Sequence, residues 1–200
     1  VSDHTDHLLD LIDQRGLIRA REVAEAGIPT VYLTRLVRTG ALERVARGVY
    51  AKASASVSEH VTLAEVAKVA PRGVICLLSA STFHGFGTQN PQRVWLALPN
   101  GSKPPTTVNV RLEVVRMHAR ALTTGIDTPT IDGVHVPIFG PTKTIADLFK
   151  YRSRVGLDIV LEVLREYWNS PHRDIEALSR YAQINGVVNV MRPYLEAMAS

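Results

Sequence analysis

With 200 residues, 46% of them hydrophobic and 21% charged, the chain has the composition of a folded soluble protein of one or two domains. A net charge of only +4 with that apolar fraction excludes a chain disordered throughout, and no uncharged stretch is apolar enough for a membrane helix. A single cysteine, Cys76, excludes an internal disulfide, and Asp3, Asp6, Asp10 and Asp13 stand where a secretory signal would be basic and then apolar, so a cytoplasmic location is expected.

The charge is unevenly placed. Residues 15–52 hold seven arginines and one lysine against Glu22, Glu25 and Glu43, a net of +5, whereas residues 53–200 hold 15 basic and 12 acidic residues. In chain order, Leu8, Leu9, Leu11 and Ile12 recur at helical spacing and predict a helix over residues 5–14, stopped by Gly16. Leu17, Ile18 and Arg19 form a short link or strand. A second helix is predicted over 20–26, closed by Gly27, and a third over 30–39, with the Thr30 side chain as its N-cap and Gly40 as its end. At about 100° per residue, Leu33, Leu36 and Val37 share one face of the third helix. Val31, Thr34, Arg35 and Arg38 share the other, with Tyr32 at the flank. Residues 41–51 alternate apolar and polar and turn at Arg47-Gly48, which predicts a β-hairpin with arginine at its tip. Three short helices followed by a hairpin define a winged helix-turn-helix.

Residues 54–58 read as a small, polar linker. Beyond it a helix is predicted over 60–70, and residues 73–86 fit strand or helix, with a helix ending near Gly85 favoured. A strand follows over 93–99, and further strand candidates lie at 110–117 and 133–138. Helices are predicted over 142–150, 157–169, 173–182 and 187–198. The fold class is therefore α+β: a winged helix-turn-helix in residues 1–53, then in residues 58–200 a mixed α/β domain with a small sheet and a helical C-terminal part.

The candidate chemistry follows from the arginines. A helix fits the major groove, where an arginine donates two hydrogen bonds to a guanine edge. Arg35 and Arg38 are the candidates for base or phosphate contact, with Thr34 for a hydrogen bond and Val31 for a thymine methyl. Arg44 and Arg47 on the hairpin would reach phosphate or the adjacent minor groove. The plain alternative is a three-helix adaptor with solvated arginines. Excess cation, an arginine-bearing third helix and an arginine-tipped hairpin in one segment favour nucleic acid over it.

No catalytic residue, metal or cofactor is assigned. Ser79, Ser81 and His84 lack a Gly-x-Ser-x-Gly elbow and an acidic partner, and helix packing accounts for them. His4 and His7 sit among acids at a chain end. Cys76 lies in an apolar run and reads as inert burial, and Asp127, Asp132 and Asp147 are isolated from one another. Residues 140–144 lack the full phosphate-loop frame, so capping of a helix by Thr142 is the better account.

The string LTRLVRTGALERVARGVY at 33–50, LSASTFHGF at 78–86 with VWLALP at 94–99, and GPTKTIADL at 140–148, in that order, resemble the AbiEi antitoxin family. The chain departs from that pattern at Lys143, where arginine is usual, and at Phe83, where a smaller or aliphatic residue is. The resemblance implies a transcriptional repressor and antitoxin of an AbiE-type, type IV toxin–antitoxin and phage-defence operon. Such a protein binds inverted repeats in its own promoter through the winged helix, and its C-terminal domain counteracts a nucleotidyltransferase-like toxin, with or without direct contact. The DNA contacts it implies are Arg35, Arg38, Arg44 and Arg47. Two alternatives stand beside it: a nucleic-acid-modifying enzyme that uses the winged helix for targeting, and a pure protein-interaction module.

Overall fold

The computed structural model describes residues 2–53, 60–105 and 110–199, so the linker expected at 54–58 lies outside the described residues. The chain divides into two compact units. One takes residues 1–71 with 104–111 and 129–136, and the other takes 72–103, 112–128 and 137–200.

The first unit opens with α1 (Ser2–Arg15), which buries Leu8 and Ile12. A two-residue strand, β1 (Ile18–Arg19), leads into α2 (Ala20–Glu25), where the Arg19 N–H donates to the Glu22 carboxylate at 2.6 Å. Gly27, at φ +75°, turns the chain toward α3 (Val31–Arg38). Thr30 does stand at the N-cap position, but its side chain makes no capping bond. Its backbone is already helical (φ −65°, ψ −13°), so the hydroxyl is not presented to the free N–H groups as it would be from an extended residue. The turn starts one residue earlier, with the Pro29 carbonyl accepting from the Tyr32 N–H at 3.1 Å. Gly40 ends the helix in the left-handed region, φ +74°, and the Ala41 N–H returns to the Leu36 carbonyl at 3.0 Å.

The wing follows as β2 (Leu42–Ala46) and β3 (Val49–Lys52), an antiparallel pair turned at Arg47-Gly48 as the sequence predicts. The edge of β3 takes up β1, so the strand order is β1-β3-β2. Leu8, Ile12, Ile18, Val23, Leu33, Leu36 and Leu42 meet in the core beneath these elements. A further helix, α4 (Val61–Val69), completes this stretch of the unit.

The second unit begins with β4 (Val74–Ile75) and α5 (Leu77–Phe83). The helix favoured for 73–86 is therefore corrected at its start: Val74 and Ile75 pair with Ala97 and Leu96, and Cys76 is extended before the helix begins. Next come β5 (Val94–Pro99), β6 (Leu112–Met117), α6 (Ala119–Leu122) and β7 (Ile126–Asp127). A small hairpin, β8 (Thr130–Ile131) with β9 (Val134–His135), belongs to the first unit, and β10 (Ile138–Phe139) to the second. The single strand predicted at 133–138 is thus two. Pro137 has no N–H for a ladder; before it β9 pairs locally with β8, and after it Ile138 pairs with Ile75 in parallel and Asp127 antiparallel. The result is a five-stranded mixed sheet in the order β6-β5-β4-β10-β7. The helices α7 (Pro141–Lys150), α8 (Arg152–Val155), α9 (Leu157–Trp168), α10 (Ile175–Asn185) and α11 (Val188–Ala199) follow. Phe139, Leu148, Phe149, Leu164 and Tyr167 are buried in the core of this unit.

Two glycines hold the first unit together at one point. Gly16, φ +66°, follows α1, and Gly133, φ +74°, sits in the β8–β9 turn. A Cβ on Gly16 would lie 1.6 Å from the Asp132 carbonyl oxygen, and one on Gly133 would lie 2.3 Å from the Arg15 carbonyl carbon. Either Gly→Ala change adds left-handed strain of about 1–2 kcal/mol to a backbone clash of overpacking type, about 1–3 kcal/mol. Gly27→Ala, with nothing within 4 Å of the new methyl, carries the strain alone. Urea unfolding should therefore rank Gly16→Ala and Gly133→Ala well below Gly27→Ala in stability.

Candidate nucleic-acid interface

The faces of α3 separate as its periodicity requires. Leu33 and Leu36 are buried, while Thr34, Arg35 and Arg38 are exposed. Val31 is 66% exposed, a valine held in water on the same side as the arginines. These four residues line one depression of about 230 Å³. Neither Arg35 nor Arg38 has an acidic partner among the described residues. Tyr32 is half-buried against the core, with its ring 5.5 Å from that of His4 and 5.9 Å from the Arg35 guanidinium carbon. It buttresses Arg35 from the flank.

The wing presents its arginines separately. Arg44 is exposed on β2 opposite Tyr50, just before an irregularity in the ladder between Arg44 and Ala46. Arg47 is exposed at the tip beside Gly48, whose φ of +74° makes the tight turn possible. Lys52, the last cation of the basic stretch, is tied to Asp13 of α1 at 2.5 Å. The structure therefore brings Val31, Thr34, Arg35 and Arg38 to one surface and puts Arg44 and Arg47 on a neighbouring projection of the same unit.

The second unit uses its polar residues internally. The Ser79 hydroxyl accepts from the Trp95 N–H at 2.9 Å, Ser81 donates to the Phe86 carbonyl at 2.7 Å, and His84 Nε2 donates to the Phe139 carbonyl at 2.8 Å. Burial lowers the His84 pKa, against the Phe139 hydrogen bond and Asp127. Cys76 is fully buried, and burial with the nearby Asp147 pushes its thiol pKa well up. The expected Thr142 cap is not made: Gly140 is the N-cap, Pro141 stands at the start of α7, and the Thr142 hydroxyl meets the Tyr167 hydroxyl at 2.9 Å. One turn on lies a pair that sequence inspection missed. Lys143 and Asp147 are both buried and ion-paired at i,i+4 spacing, and Asn185 Nδ2 donates to the same Asp147 oxygen at 2.7 Å. Burial raises the Asp147 pKa above its ordinary range, with Lys143 pulling it back. Among the described residues no group of three or more His, Cys, Asp or Glu is placed to hold a metal.

A winged helix-turn-helix is joined in sequence to a mixed α/β unit. Residues 6–51 match the family described as "Transcriptional regulator, AbiEi antitoxin", and residues 73–193 match "AbiEi antitoxin C-terminal domain". The chain belongs to the AbiEi antitoxin family, and its regulator domain supports a DNA-binding antitoxin. Among solved structures it is similar to the RV2827C protein from Mycobacterium tuberculosis at 16% identity and a TM-score of 0.61, over 90% of this chain and 71% of that one. At that identity the likeness is one of fold. No curated protein matches the chain. No helix among the described residues is long and apolar enough to cross a membrane.

Proposed function

We propose that the chain represses its own promoter by binding inverted repeats through residues 1–53, and that residues 58–200 counteract a nucleotidyltransferase-like toxin. The protein acts by occupancy rather than turnover, in the cytoplasm. The observation that carries the reading is the outward face of α3, where Val31, Thr34, Arg35 and Arg38 lie exposed around one depression. That set suits a major-groove edge: arginine forks for guanine, a hydroxyl for a base or phosphate, and a β-branched side chain for a thymine methyl. Arg44 and Arg47 on the wing add phosphate or minor-groove contacts, which fix register without reading sequence. Two copies on a two-fold operator would place their α3 helices about 34–36 Å apart, or a multiple of that.

A promoter–reporter fusion carrying the chain's own upstream region tests the repressor half. Expression of the chain in trans should lower reporter output, and the Arg35→Ala, Arg38→Ala variant should restore it. Equal output with and without the chain would refute autorepression. For the antitoxin half, the chain supplied from an unrelated promoter should restore growth to cells expressing a neighbouring nucleotidyltransferase-like gene. The double variant should restore it equally, because neutralisation is assigned to the other part of the chain.

A further inference from the structure

A second cationic surface lies in the first unit. A groove of about 510 Å³ runs among the end of α1, β1, the start of α2, the end of α4 and the β8–β9 hairpin. Its charged lining is Arg15, Arg19, Arg21 and Lys68 against one acid, Glu22. Glu22 is already engaged: Lys68 Nζ lies 3.1 Å from each of its oxygens, the Arg19 N–H donates at 2.6 Å, and Arg15 Nη1 is 3.8 Å away. Although burial opposes it, the Arg19 hydrogen bond and the Lys68 ammonium hold the Glu22 carboxyl below its ordinary range, so the acid is charged and occupied. The Arg19 and Arg21 guanidinium groups have no acidic partner among the described residues.

The groove adjoins the wing. Arg19 pairs with Val49 of β3, and the Ala20 N–H donates to the Gly48 carbonyl at 2.9 Å. Arg19 and Arg21 therefore flank a residue bonded to the turn that carries Arg47, which sets the groove mouth beside the wing tip. The groove is also firmly built, because the close approach of Gly16 and Gly133 ties the β8–β9 turn to the end of α1. Guanidinium groups in a walled channel suit phosphate oxygens: each offers a planar fork of donors, and the walls focus the field.

We propose that this groove holds the sugar-phosphate backbone of the DNA flanking the segment that faces α3, so that α4 and the β8–β9 hairpin belong to the DNA-binding surface. The inference rests on the DNA-binding reading above. Phosphate contacts add affinity without sequence information, so the groove and α3 differ in what their loss does.

The test uses the full chain, its own promoter fragment and a random-sequence duplex, with binding measured across a salt series. Arg19→Gln with Arg21→Gln should weaken binding to both duplexes by the same factor and flatten the salt dependence by about two counterions. Ethylation interference with the unaltered chain should mark phosphates outside the base pairs whose substitution weakens binding, and needs no variant to fold. A variant with wild-type unfolding and an unchanged salt slope would overturn the proposal, as would the absence of flanking ethylation interference. An acidic protein segment in the groove instead of DNA would give that same unchanged slope. Failure of the unaltered chain to bind either duplex would sink the DNA-binding reading itself.

Discussion

Replacing Arg35 and Arg38 together by alanine should lower affinity for the chain's own promoter by roughly 100- to 1,000-fold. A bidentate arginine–guanine contact discriminates by about 1–3 kcal/mol, and each 1.4 kcal/mol is about tenfold. Both side chains are exposed, whereas α3 is anchored by buried Leu33 and Leu36. The variant should therefore unfold at the wild-type urea midpoint. Its affinity for random-sequence DNA should fall far less, since the wing and other phosphate contacts survive. Gel shifts on the two duplexes measure both numbers. A double variant that binds the promoter as tightly as wild type would remove α3 as the reading surface.

The largest effect on stability is expected from Asp147→Ala. Lys143 and Asp147 have 0% side-chain exposure, and the Lys143 ammonium also lies 4.3 Å from the centre of the Phe139 ring. Removing the carboxylate leaves a cation in the core of the second unit and Asn185 without the acceptor it now meets at 2.7 Å. Breaking a buried pair from one side costs about 3–5 kcal/mol. Replacing both partners, as Lys143→Met with Asp147→Leu, should recover much of that loss, because apolar residues of similar volume also escape the desolvation penalty. Lys143→Arg keeps the charge and restores the residue usual in the resembling motif. Urea unfolding of Asp147→Ala and of the double variant checks the order; a double variant no more stable than Asp147→Ala would contradict it.

The elements with strong local signals were legible. Leu33, Leu36 and Val37 gave α3, Arg47-Gly48 gave the wing turn, and the run ending in Pro99 gave β5. The elements that escaped are the shortest ones. β7, β8 and β10 are two residues long, too short to show a period; β7 and β10 exist because of pairing in the five-stranded sheet, and β8 because of its local hairpin with β9. Residues 133–138 looked like one strand, but Pro137 and two competing partners divide it into β9 and β10. At the N-cap of α3, Thr30 has the right residue type and the wrong backbone angles. Lys143 and Asp147 stand four apart on an amphipathic helix, a visible spacing that is ordinarily read as a solvated pair; only the depth of α7 shows otherwise. The exposed face of α3 was legible because it lies on one helix. The groove was not, since its lining runs from Gln14 to His135 and forms only when the β8–β9 hairpin comes back onto α1 and α4.

The central claim, a sequence-specific DNA-binding repressor, is tested most directly by one ratio: the dissociation constant for a random duplex over that for the chain's own promoter, at one physiological salt concentration. The account predicts a ratio of about 10³ or more, collapsing when Arg35 and Arg38 are removed. A ratio near one with the unaltered chain would contradict it.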